Sequence, residues 1–331
     1  SESDVTSPDM TSSGAKKSRR RRLVLALAIL SGTAWLVGTL LQISVRDRIP
    51  GIISAMFYAA PMPLIVVAGL VTLLALRGRS ETGVRRRCRQ VFKAVVLAQA
   101  VLWLGDAVSM TSRNVPENAV RILFWNVNRG FRGYDGIAAE IVERDADVVA
   151  LVEATLDGQR AETWREQCPG YTVATTGSGM ILLVRGSVDV LETGRSGIVG
   201  RWRLARVTTK HRRFLLLLID VSSHPLRSRQ PAFDDIAAAL EKFSAEPLII
   251  AGDFNTPTNS VRYGEMRQHA RNAFESAGEG LRETWPVVLP VLTLDQLWGN
   301  QRIDWLRCRH GWSARSDHRP VIAEFTVRDR D

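Results

Sequence analysis

The residues of this chain that could do chemistry fall where apolar runs end. Pro247 to Ile250 lead into Ala251-Gly252-Asp253-Phe254-Asn255-Thr256-Pro257. Branched apolar residues followed by Gly-Asp-x-Asn read as a buried strand with an acid and an amide at its carboxyl end. Pro257 stops that strand. Four other places add to it. Asn126 lies in Phe124-Trp125-Asn126-Val127-Asn128, and Glu153 ends the run Val148 to Val152. His224 follows a strand in Asp220-Val-Ser-Ser-His224-Pro225, and Asp317-His318 sit in Arg315-Ser-Asp-His-Arg-Pro320. Each has a plain structural use: Asn126 caps a turn, Glu153 caps a helix or charges the surface, His224 is a loop histidine, and Asp317-His318 is a solvated turn. Together they gather acids, amides and imidazoles at strand ends. Such a set suits proton transfer, anion contact and, with oxygen ligands and no cysteine, a hard cation.

The elements that must position these residues begin at about residue 120. Strands are expected at 121–127, 147–152, 180–184, 202–208 and 214–219, the last two joined by the polar turn Lys210-His211-Arg212-Arg213. Helices are expected at 137–144 and at 231–243, the latter with Pro231 in its first turn. A mixed helical stretch follows around 261–277, then closing strands near 292–298, 302–308 and 320–327. Hairpins mixed with helices point to an α/β sandwich of two packed sheets.

The front third differs in kind. The 331 residues carry a net charge of +10, and all of it lies ahead of residue 116. Residues 116–331 balance at 28 basic and 28 acidic side chains, so composition does not support a nucleic-acid-binding surface there, although Arg201, Arg203, Lys210, Arg212 and Arg213 could form a local patch. Residues 1–22 read as a disordered cytoplasmic tail ending in the basic block Lys16, Lys17 and Arg19 to Arg22. Residues 23–113 read as a membrane region with two to three transmembrane helices. Leu23 to Ile43 is uncharged and long enough to cross a bilayer. Gly51 to Leu76 is uncharged too, with Pro61 and Pro63 expected to kink it. Ala94 to Met110 carries Asp106 and reads either as a third crossing or as an amphipathic or buried helix. Basic residues crowd the first flank and the 77–89 loop, whereas Arg46 and Arg48 follow the first segment and Arg113 stands alone after the third. The positive-inside rule then puts the domain of residues 117–328 outside the cytoplasm of a multi-pass membrane protein. Cys88, Cys168 and Cys308 have no metal-type spacing, and a Cys168–Cys308 pair stays open.

The order Trp-Asn, apolar strand–Glu, Ser-His, Gly-Asp-Phe-Asn, Ser-Asp-His-Arg-Pro-Val resembles the endonuclease/exonuclease/phosphatase superfamily over about 120–327. The resemblance implies a four-layer α/β/β/α sandwich of the deoxyribonuclease I type, here preceded by a helical membrane region. It also implies Mg²⁺- or Mn²⁺-dependent hydrolysis of a phosphate ester, whether nucleic acid, phospholipid head group or small phosphodiester. Converging carboxylates repel unless a cation joins them. The implied metal ligands are Glu153, Asn126 and Asp317. Asp253 orients or deprotonates the attacking water, Asn255 holds phosphate or water, and His318 and His224 donate hydrogen bonds to the phosphate. The family pairs such a histidine with an aspartate, for which Asp295 and Asp304 both qualify. The lead-in Thr284-Trp285-Pro286 resembles the family's and favours Asp295. Gly299-Asn300-Gln301 then reads as a hairpin turn, with Asp304 on the next strand. Asn128 departs from the Asp found there in abasic endonucleases, and Ser-Ser-His-Pro departs from the commoner Thr-His-Leu. The alternative is a non-catalytic ligand- or partner-binding domain on the same fold. The oligomeric state is open.

Overall fold

The computed structural model describes residues 10–77, 83–111, 113–154, 161–175 and 177–328. They form two compact units: Ser1–Val45 with Ala59–Leu104, and Arg46–Tyr58 with Gly105–Asp331.

The first unit is helical. Helix α1 (Met10–Leu40) runs on through a π-helical turn, Leu41–Val45. The basic block is therefore helical rather than part of a disordered tail; residues 1–9 of that tail lie outside the described residues. Helix α3 (Met62–Ala75) belongs to this unit, whereas α2 (Ile52–Ala59) belongs to the second unit but for its last residue; the two are a bent pair broken at Ala60 and Pro61. The bend falls at Pro61, where a missing N–H and a clashing ring cannot continue a helix. Helix α4 (Gly83–Ala107) begins well before the expected Ala94. Ser18–Val45 and Gly83–Ala107 are long and apolar enough to cross a membrane, and the bent pair would be a third span if it acts as one. Polar side chains pair between these helices: Trp35 Nε1 donates to Gln99 Oε1 at 2.7 Å, and the Ser31 and Thr72 hydroxyls lie 2.7 Å apart.

The second unit carries strands β1 (Val108–Met110), β2 (Val120–Asn126), β3 (Val148–Val152), β4 (Thr172–Thr175), β5 (Ile181–Val184), β6 (Gly186–Arg195), β7 (Gly200–Thr209), β8 (Arg213–Val221), β9 (Leu248–Asp253), β10 (Ala270–Asn272), β11 (Gly278–Leu281), β12 (Asp295–Asn300), β13 (Ile303–His310) and β14 (Val321–Val327). Its helices are α5 (Tyr134–Arg144), α6 (Ala161–Gln167), α7 (Gln230–Lys242) and the short α8 (Met266–His269) and α9 (Ala273–Ala277). One sheet has the order β1-β11-β13-β14-β2-β3-β5-β4, the other β10-β12-β9-β8-β7-β6.

Both faces of the central strands are buried, which is why they read as continuous apolar runs. The side chains still alternate. Ile122 and Phe124 of β2, Leu216 and Leu218 of β8, and Ile249 and Ala251 of β9 face the space between the sheets. Leu123 and Trp125 pack on α5 through Ile137 and Ile141. Leu215, Leu217 and Ile219 pack on α7 through Phe233 and Ile236. Three apolar layers between four layers of structure make the deoxyribonuclease I-like sandwich.

Two details differ from expectation. Gly299-Asn300-Gln301 is no hairpin turn: β12 pairs with β9 and β13 with β14, so the chain changes sheets there. The crossing is tight, and a Cβ on Gly299 would come within 2.7 Å of the Ile303 side chain. Cys168 and Cys308 are free and buried in different apolar layers.

His310, at the end of β13, is buried. Burial, reinforced by the Arg319 charge, lowers its pKa from the usual 6.5 to about 3. The unfolded chain binds this proton more readily, so the group supports folding above pH 6.5 and loses that support as pH falls below it. Between pH 7.5 and pH 5.0 the loss is about 2 kcal/mol. Thermal unfolding of the wild type should therefore drop more steeply with acid than that of His310→Phe; parallel curves would show that His310 is protonated in the fold.

Candidate active site

Strand alternation decides which side chains meet. Continuing the inward-facing series brings Asn126 to the end of β2, Asp220 to the end of β8 and Asp253 to the end of β9. On β12 the inward Leu297 is preceded in the series by Asp295. The register sets Asp220 opposite Asp253, and Asp253 opposite Asp295. Three aspartates thus stand in a row at one mouth of the sandwich, with Asp253 and Asp295 almost without solvent contact.

His318 answers this row. Its Nδ1 lies 2.8 Å from Asp295 Oδ2 and 3.0 Å from Oδ1. Asp304 lies elsewhere, paired with Arg328 at the surface at 3.1 Å. The His318 backbone is fixed on both sides: its N–H donates to Ser316 Oγ at 3.1 Å, and its carbonyl accepts from Trp125 Nε1 at 3.0 Å. Burial alone would lower the imidazole pKa, but the Asp295 carboxylate, its hydrogen bond and the Asp253 charge together raise it to about 10. Burial and the neighbouring Asp295 raise Asp253 to about 7, and burial followed by Glu153 raises Asp220 to about 6. A histidine that is cationic at neutral pH therefore stands beside a carboxyl group able to take or give a proton there.

A chain of amides links the rest. Asn126 Nδ2 donates to Asp253 Oδ2 at 3.0 Å and to Glu153 Oε1 at 3.2 Å, while Asn126 Oδ1 accepts from the Asn128 N–H at 2.9 Å. Asn128 Nδ2 donates to Asp317 Oδ1 at 2.8 Å, and Trp285 Nε1 donates to Asp317 Oδ2 at 3.0 Å. Asn255 closes the far side: its N–H donates to Asp253 Oδ1 at 2.8 Å and its amide to the Val221 carbonyl at 2.7 Å. Asn128, Arg129, Glu153 and Asn255 all have positive φ, between 45° and 55°. Residues with a Cβ adopt that conformation at a cost, and its clustering at one mouth marks a site whose surroundings enforce it.

Seven of the eight residues expected from sequence are joined in this network: Asn126, Glu153, Asp253, Asn255, Asp295, Asp317 and His318. His224 is not. It is exposed on the loop after β8, where its Nδ1 accepts from the Leu226 N–H at 3.3 Å. Asp220 was missed, although its place in the series Phe214, Leu216, Leu218 would have found it.

Glu153 opens onto a cleft of about 830 Å³, lined also by Arg129, Arg195, Arg201, Asp220 and Asn255. Arg129 Nε lies 3.4 Å from Glu153 Oε2. Glu153, Asn126 and Asp317 offer only oxygen ligands, and the Asp317 oxygens accept from two neutral donors, Asn128 Nδ2 and Trp285 Nε1, neither of which cancels the carboxylate charge. That donor chemistry fits a hard divalent cation such as Mg²⁺ or Mn²⁺. Asp253, Asp295 and His318 also bring ligand atoms within 4.8 Å of one another, but His318 Nδ1 is already committed to Asp295.

The imidazole pair has a direct test in NMR titration of the histidine side chains. His318 should stay protonated past pH 8 in the wild type and in Asp304→Asn. In Asp295→Asn its pKa should fall, because the carboxylate that raises it most is gone while burial still opposes the charge and the Asp253 charge remains. An unchanged His318 in that variant would assign its charge to another group.

The sequence profile of the Endonuclease/Exonuclease/phosphatase family matches residues 123–318. No curated protein sequence matches the chain. Among solved structures, an endonuclease/exonuclease/phosphatase family protein from Bacteroides thetaiotaomicron is 15% identical with a TM-score of 0.54, the match covering 64% of this chain and 98% of that one. A mannosyl-6-phosphatase of Bacteroides thetaiotaomicron is also 15% identical with a TM-score of 0.54, covering 63% of this chain and 100% of that one. TDP2 of D. rerio, complexed with a single-strand DNA product, is 16% identical with a TM-score of 0.50, covering 63% and 99%. At this identity the structures speak for the fold, and the profile match over more than half of the chain speaks for descent: the protein belongs to the endonuclease/exonuclease/phosphatase family, whose members are phosphate-ester hydrolases, generally dependent on a divalent metal.

Proposed function

We propose that the chain is a membrane-anchored, divalent-metal-dependent phosphoesterase with its catalytic domain outside the cytoplasm. The observation that carries the catalytic reading is the His318–Asp295 pair set beside Asp253, with Glu153 opening from the same network onto an arginine-lined cleft. A non-catalytic binding domain would have no need of a buried row of acids, which costs stability wherever no ligand or proton relieves it.

Glu153, Asn126 and Asp317 would hold the cation. When bound, it supplies Lewis-acid polarisation of the phosphoryl oxygens and neutralises charge on the leaving oxygen. The chain's own residues do the rest. Asp253, with its pKa near 7, takes a proton from the water that attacks phosphorus in line with the leaving group. Asn255, anchored to the Val221 carbonyl, orients that water or a phosphoryl oxygen. His318, kept cationic by Asp295, offers its Nε2–H to the phosphate as negative charge builds. His224 would need to turn inward from its exposed loop to give the second such donor. Arg129, Arg195 and Arg201 favour an anionic substrate whatever its class, since the domain's net charge is zero and the positive lining is local. The family's range leaves nucleic acids, lipid head groups and small phosphodiesters, or the corresponding monoesters; tethering at a bilayer brings lipid head groups close.

The full chain assayed with divalent metal against DNA, RNA, phosphoinositides, sphingomyelin and bis(p-nitrophenyl) phosphate tests the reading. Glu153→Gln should abolish turnover at ordinary Mg²⁺ while leaving Tm unchanged; an unaltered metal dependence would remove Glu153 from the ligand set. Asp295→Asn and His318→Ala should each lower kcat/KM by about 10²-fold, and the double variant should be little worse because the two act as a unit.

The membrane reading rests on the two apolar helices and on the basic residues of the first flank and the 77–89 loop. A reporter active only outside the cytoplasm, fused after Asp331, should give signal, and a cytoplasm-only reporter should be silent. The opposite pattern would place the domain inside.

A further inference from the structure

Asp47 follows the first apolar helix by two residues, yet it belongs to the compact unit that holds the strands. Its side chain has no solvent contact. Oδ2 accepts from Ser260 Oγ at 2.5 Å and Tyr58 Oη at 2.9 Å, and lies 3.3 Å from Arg262 Nε. Oδ1 accepts from the Val261 N–H at 3.0 Å, and the Asp47 carbonyl accepts from Arg262 Nη2 at 3.2 Å. A buried carboxylate is tolerable only when its partners are held in place, so Asp47 and the 258–263 turn fix each other.

That turn carries its order back to the site. Ser260 N–H donates to the Pro257 carbonyl at 2.9 Å, and Tyr263 Oη donates to the Thr256 carbonyl at 2.9 Å. Gln296 Nε2, from the strand that starts with Asp295, donates to Tyr263 Oη at 2.7 Å and to the Thr256 carbonyl at 3.2 Å. Thr256 follows Asn255, whose left-handed backbone needs support from outside itself. A second line runs through Tyr58: Arg229 stacks on its ring at 4.2 Å and donates from Nε to the carbonyl of Ser222, in the cleft wall.

We propose that Asp47, on the loop between the first two apolar helices, is a positioning residue for the phosphoesterase site, holding the 256–263 turn and through it Asn255. The kinetic part rests on the phosphoesterase reading; the structural part does not. The test uses the full chain, the near-isosteric Asp47→Asn, and Asp47→Ala and Arg262→Ala each alone and together. Bis(p-nitrophenyl) phosphate hydrolysis with Mg²⁺ and amide hydrogen exchange over 254–263 are read together. In Asp47→Asn, kcat should fall by about 10- to 100-fold, the scale of a misplaced reacting group, with KM within about threefold of wild type. Exchange should quicken over 256–263 and stay unchanged in β2 and β3. The Arg262→Ala, Asp47→Ala double variant should lose no more turnover than the worse single one. Faster exchange with kcat within about twofold of wild type would make Asp47 a stability residue only, and overturn the proposal. Unchanged exchange would overturn it as well, by removing the hold itself. A wild type inactive on every substrate would count against the phosphoesterase reading, and the exchange result would still decide whether Asp47 holds the turn.

Discussion

Carboxylates placed side by side out of water repel one another, and this molecule sets Asp220, Asp253 and Asp295 on three adjacent strands at one mouth of its sandwich. The arrangement stands because the opposite sheet supplies the relief. His318 arrives on the loop leading into β14, seats its Nδ1 on Asp295 and brings a positive charge toward Asp253. Asn126, at the end of β2 in that same sheet, donates its amide to Asp253 and Glu153. The two sheets must therefore close on each other in one register: a one-residue slip in β9 or β12 would turn its aspartate toward the helices and leave His318 without its partner.

The apolar layers fix that register. Ile122, Phe124, Leu216, Leu218, Ile249 and Ala251 occupy the same inward rows that end in Asn126, Asp220 and Asp253. Core and site are one alternating pattern, read along each strand from its buried middle to its polar end. A substitution that changes the volume between the sheets would be felt at the mouth, because packed interiors transmit strain rather than absorb it.

Much of this was legible in the sequence, because the site residues lie at ends of strongly apolar runs and the runs are local signals. The Gly-Asp-Phe-Asn and Ser-Asp-His segments landed at the mouth, and the central strands fell within a few residues of their expected bounds. What escaped depends on long-range pairing. β6 is a largely exposed edge strand whose polar residues carry no apolar run. The segment after Asn300 looks like a hairpin turn locally, but sheet membership is settled by β9 and β14, distant in the chain. Asp220 carries no motif of its own in Asp220-Val-Ser-Ser-His224; the strand periodicity of Phe214, Leu216 and Leu218 is what singles it out. The short loop 46–50 reads as a spacer between apolar segments, and nothing near it announces Ser260 or Arg262.

That loop has a topological consequence. A carboxylate and a guanidinium that pair in the folded protein must be delivered to the same aqueous compartment, and Asp47 and Arg262 are separated by the whole of α3 and α4. On the proposed membrane reading, the number of bilayer crossings between Tyr58 and Gly105 would then have to be even. Parity would tie the fates of α3 and α4: both would traverse the membrane, with the arginine-rich 77–89 stretch on the far side, or neither would.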